Sequence, residues 1–76
     1  MDNEIYIKRA DLISDELISL WKNNKTKKKK FIDLYNELLT EEDKEIQYII
    51  LTYVPERLSV KGYEIVNSEF FELEKY

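Results

Sequence analysis

The sequence predicts an α+β fold: a small three-helix domain followed by a C-terminal β-hairpin, with an N-terminal edge strand joining it. Three observations carry this expectation. Apolar residues recur at helical spacing in three separate stretches, the period shifts to two after the single proline, and Ile5-Tyr6-Ile7 near the N-terminus suggests a short extended segment. With 76 residues the chain is long enough for one domain, 1–76. A domain of that size hides roughly 60% of the surface its unfolded chain exposes, which leaves room for one core only.

The first helix is read between Asp11 and Asn24, where Ile13, Leu17, Leu20 and Trp21 share one face. Asp11 and Ser14 both suit its N-cap, and Asp15 and Glu16 suit the positive end of its dipole. The second follows from Phe31, Leu34, Tyr35, Leu38 and Leu39, and the third from Ile46, Ile49, Ile50, Tyr53 and Val54. Thr40 with Asp43 resembles a capping box, which starts the third helix near Glu41. Pro55 is expected to end or kink it, because proline offers no N–H and disfavours helical geometry at Val54; a short turn through Leu58 follows. Tyr63 and Ile65 then alternate with Glu64, and Phe71 and Leu73 with Glu72 and Glu74. Asn67-Ser68 between the two runs completes the reading of a hairpin.

Composition narrows the function classes. The chain has no cysteine and no histidine, which removes disulfides, thiol nucleophiles, the common zinc ligands and the usual general base near neutral pH. No catalytic, cofactor or metal site is expected, because no EF-hand, zinc or P-loop pattern occurs and no reactive pair stands at a useful spacing. The longest apolar stretch, Tyr48 to Val54, is far short of the roughly 20 residues needed to span a bilayer. The acidic first residues lack the form of a signal peptide, so no membrane partner and a cytoplasmic location are expected. A Lys-, Ile-, Glu-, Asn- and Tyr-rich composition fits AT-rich codon choice, as in a low-GC bacterium or its phage.

Charge layout is the most unusual feature. Residues 17–32 carry six lysines and no acid, whereas 1–16 sum to −3 and 33–76 to −7, for a net charge of −4. The knuckle holds Lys25, Lys27, Lys28, Lys29 and Lys30. Some of these are expected in the first turn of the second helix, where each positive charge opposes the dipole by about 0.3–1 kcal/mol. A local cost of that kind favours an anionic partner, though a solvated loop gives the same pattern. The counterpart is acidic: Glu41, Glu42, Asp43 and Glu45, then Glu69, Glu72 and Glu74. Those acids suit a helix dipole and a solvated strand face, or carboxylates presented in place of phosphates. Ten aromatic side chains add a third feature. Leu12, Ile18, Leu51, Phe70 and Tyr76 fall off the assigned faces, so Phe70 and Tyr76 beside Glu69 and Glu72 form a second candidate surface for a protein partner or a homodimer seam.

Three helices followed by a hairpin resemble, in topology only, a winged helix-turn-helix domain. That resemblance implies a DNA-binding transcription regulator with Glu41 to Val54 as recognition helix. Its acids would repel phosphates, and the lysines of the preceding turn would touch backbone without reading bases. The expectation is therefore a non-enzymatic protein–protein interaction module. Its type would be a small acidic inhibitor or adaptor from a phage or mobile element, bound to a host or regulatory protein of nucleic-acid metabolism. Nucleic acid through Lys27–Lys30 is the alternative partner.

Overall fold

The computed structural model describes residues 3–40, 43–67 and 69–76. Three helices, α1 (Glu4–Lys22), α2 (Phe31–Leu38) and α3 (Lys44–Val60), precede two strands, β1 (Tyr63–Asn67) and β2 (Glu72–Lys75), which pair antiparallel. The α+β class, the three helices and the hairpin are as expected.

The N-terminal edge strand is corrected. Ile5, Tyr6 and Ile7 lie in the first turns of α1, which begins seven residues before Asp11. Tyr6, Ala10, Ile13 and Leu17 fall at i, i+4, i+7 and i+11, so they extend the apolar stripe upstream, while Ile5 and Leu12 stay exposed. Asp11 and Ser14 are therefore mid-helix residues, not caps. Asn3 is the N-cap, and its amide donates across the fold to the Tyr53 hydroxyl at 3.2 Å.

Helices α1 and α3 cross where side chains are small. Ala10 and Ser14 are fully buried, and the Ser14 hydroxyl donates to the Ala10 carbonyl at 2.8 Å with a longer contact of 3.4 Å to that of Val54. A larger residue at either position would force the helices apart. Asp43 caps α3, accepting from the Glu45 and Ile46 amides at 2.9 and 3.4 Å. This corrects the capping box expected at Thr40; Glu41 and Glu42 lie outside the described residues. Pro55 does not end the helix, which continues through Leu58 to Val60. Proline in a helix interior costs about 3 kcal/mol. Ile50, Val54 and Leu58 are all fully buried on the same stripe, and each such side chain contributes about 1.5–3 kcal/mol, so burial outweighs the lost hydrogen bond.

Gly62 makes the turn into β1 with φ +89, a conformation that other residues adopt at a cost. The hairpin buries one face: Tyr63, Phe71 and Leu73 are covered, Ile65 is half-buried, and Glu64, Glu72 and Glu74 face outward. A register irregularity between Ile65 and Asn67 leaves Val66 half-exposed. Of the residues that fell off the assigned faces, Ile18 is buried and Leu51 half-buried, while Leu12, Phe70 and Tyr76 remain exposed. Among the described residues, no helix is long and apolar enough to cross a membrane.

Candidate functional site

The lysine knuckle is built by two successive backbone devices. Helix α1 ends with Asn24 in left-handed conformation (φ 57), the Asn24 amide donating to Trp21 and the Lys25 amide to Leu20. These are the paired bonds of a Schellman motif, with asparagine in the place glycine usually takes. A tight turn follows, closed by the Lys29 amide on the Thr26 carbonyl at 3.0 Å, with Lys28 also left-handed at φ 64. For a residue with a Cβ that conformation costs about 1–2 kcal/mol. Thr26 is buried beneath the turn, so the lysines are held on an ordered loop.

The expectation that lysines occupy the first turn of α2 is corrected. The helix starts at Phe31, with Lys30 as its N-cap and Lys27, Lys28 and Lys29 before it. Lys30 makes no side-chain cap. The hairpin supplies a partner: the Phe31 amide donates to the Glu69 carbonyl at 3.4 Å, and the Phe71 amide donates to the Lys29 carbonyl at 2.9 Å. Lys30 thereby pairs antiparallel with Phe70, and the start of α2 is tied to the chain entering β2. On the hairpin side, the Asn67 side chain accepts from the Glu69 and Phe70 amides at 3.0 and 3.2 Å, fixing the turn that presents Phe70.

This junction brings together residues more than 40 positions apart. Lys27, Lys28, Phe70 and Glu72 line one open cleft of about 440 Å³, with Trp21 and Asn24. Phe71 is almost wholly buried behind it, against Phe31 at 5.5 Å between ring centroids, whereas Phe70 keeps 41% of its surface exposed. Trp21 is half-buried and meets the Tyr63 ring edge-on at 5.9 Å. Among the described residues, no ion pair engages Lys27 or Lys28. Lys29 is paired with Glu37 at 3.5 Å on an exposed surface.

The other predicted residues sit outside this cleft. Lys25, Lys29 and Lys30 are exposed along the same knuckle, and Glu69 contributes through its backbone. Tyr76 lies at the opposite end of the hairpin: its amide donates to the Gly62 carbonyl at 2.8 Å, and its hydroxyl is 3.4 Å from that of Ser59. Sequence reasoning missed Trp21 and Asn24. Trp21 falls on the core stripe of α1, which masks its second role, while an asparagine just past a helix end is the signal for the cap that turns the chain into the knuckle.

Three titratable groups away from the cleft are perturbed by their surroundings. Lys61, with Arg57, holds the Asp11 carboxyl below its ordinary 3.8 against the opposing effect of burial, and Asp15, with Asp11, raises the Lys61 ammonium above 10.5. Burial pushes the Tyr35 hydroxyl, a donor to the Gln47 carbonyl, up to about 12. Among the described residues, no cluster of three acidic side chains could hold a metal ion. Comparison of the chain with family models, curated proteins and solved structures gives no match.

Proposed function

We propose that this chain is a non-enzymatic interaction module that captures an anionic face of a protein through the lysine knuckle and the adjoining hairpin turn. One observation carries the reading: Lys27, Lys28 and Phe70, far apart in sequence, meet at one cleft whose walls are fixed by the Lys30–Phe70 pairing. The exposed aromatic offers contact area to a protein face, and the adjoining lysines attract and orient an anionic one. The small acidic body fits an inhibitor or adaptor of phage or mobile-element type, working in the cytoplasm on a host protein of nucleic-acid metabolism.

Duplex DNA binding by a winged helix-turn-helix arrangement is the competing reading, favoured by the order of α2, α3 and hairpin. Against it, the N-terminal end of α3 presents Asp43 and Glu45 with only Lys44 among the described residues there. Phosphates would meet net negative charge where base contacts would have to form.

The test is affinity capture from nuclease-treated extract with tagged wild-type protein and with Lys27→Glu/Lys28→Glu. The module reading expects a single retained protein that survives nuclease and is lost from the charge-reversed variant, with unchanged circular dichroism. Equal capture by both proteins would refute it, and nucleic acid retained until nuclease treatment would replace it with the DNA reading.

A further inference from the structure

The cleft between the end of α1 and the hairpin turn has a chemistry narrower than an electrostatic patch. Of the five lysines of the knuckle, two, Lys27 and Lys28, line it. Both lie outside every ion pair among the described residues. Its apolar part is aromatic, from the exposed face of Phe70 and the half-buried Trp21. Glu72 and Asn24 line it as well. Lys28 occupies its position despite an unfavourable backbone conformation, where glycine or asparagine would fit without strain.

Resting on the interaction reading, we infer that this cleft takes a short acidic segment of the partner protein, with one aromatic side chain packed against Phe70 and Trp21 and flanking carboxylates on Lys27 and Lys28. Charge complementarity selects the occupant. A nucleic-acid strand carries a phosphate at every nucleotide and would have to run past Glu72, whereas a peptide can place its carboxylates only where the lysines are and offer its own N–H groups to Glu72. Aromatic packing supplies contact area at little conformational cost, and the lysines fix orientation.

The chain has one tryptophan, and it lines the cleft, so its emission reports occupancy directly. The full-length protein is titrated with a tryptophan-free peptide of Asp and Glu bearing one central Phe. Parallel titrations use the same peptide with Ala for Phe, and single-stranded oligothymidylate. The expected result is a saturable change in Trp21 emission with the Phe peptide, weakened about tenfold by the Ala peptide and by Phe70→Ala, and lost in Lys27→Glu/Lys28→Glu. No saturable response to the Phe peptide overturns the inference, as does a stronger response to oligothymidylate. Lysine-dependent capture from extract without any peptide response would leave the interaction reading standing and remove the acidic segment. A peptide response without capture would support the cleft assignment and count against the wider reading.

Discussion

The crossing of α1 with α3 and the junction of the lysine turn with the hairpin obey opposite rules. At the crossing the local choices agree with the fold except at Pro55, whose helix-breaking tendency is offset by the burial of Val54 and Leu58 beside it. Small residues sit where the helices touch, Asp43 caps α3 with its side chain, and Lys61 reaches Asp11 at 3.0 Å and Asp15 at 2.8 Å while Arg57 reaches Asp11 at 3.2 Å. At the junction the choices conflict locally. A lysine holds a left-handed conformation, four lysines crowd the positive end of α2, the cap comes from a backbone carbonyl 38 positions away, and Phe70 stays out of the core. Consistent regions carry stability, and places that break local preferences are where a function is expected.

Phe71, on the core side of the junction and in the same core cluster as Ala10 and Val54, gives the largest effect. Its side chain is 2% exposed and packs on Phe31, while its amide ties the hairpin to Lys29. Phe71→Ala is expected to cost about 3–5 kcal/mol, a large part of the stability of a domain this small. Phe70→Ala, on the next residue but half in solvent, should cost far less. Urea denaturation of both variants checks the contrast, and equal losses would mean that the junction does not separate a core side from a binding side.

The contrast also explains what could be read from sequence. Helices α2 and α3 and the hairpin were legible because Phe31 to Leu39 and Ile46 to Val54 keep a helical period, and Tyr63 to Ile65 and Phe71 to Glu74 each alternate on either side of Asn67. The start of α1 was not, since Ile5 and Ile7 mimic a strand and the stripe passes through Tyr6 and Ala10, which carry little hydrophobic signal. Pro55 misled because its local penalty is visible in sequence and the burial of Val54 and Leu58 around it is not. Of the candidate site, the residue types were legible and their meeting was not: nothing in sequence pairs Lys30 with Phe70 or separates Tyr76 from the cleft.

A middle-sized effect follows from the strained lysine. Lys28→Gly removes the Cβ that makes φ 64 unfavourable, at the cost of greater freedom in the unfolded chain. The net expectation is a gain of roughly 0.5–1 kcal/mol in urea denaturation. The same variant loses one of the two cations of the cleft, so its response to the acidic Phe peptide should weaken. A more stable variant that binds less well is the pattern of strain kept for function. No gain in stability would show that the turn carries no strain at Lys28.

The smallest effect belongs to the ion cluster at the crossing, and pH reads it. The Asp11 carboxyl titrates below 3.8 in the folded chain, so its contribution is complete above that value and is lost as pH falls through the lowered folded value. Lys61 titrates above 10.5, so its contribution is complete below that value and is lost as pH rises through the raised folded value. Between the two ends the cluster adds a constant increment. Solvent reaches it, with Asp11 36% exposed, so that increment is only about 0.3–1 kcal/mol. Asp11→Asn should therefore unfold more easily than wild type by the same small amount from pH 5 to pH 9, with the two curves converging at acid pH. A difference that grew on acidification would mean that Asp11 gains no stabilisation from its charge, and that the crossing rests on Ala10, Ser14 and Val54 alone.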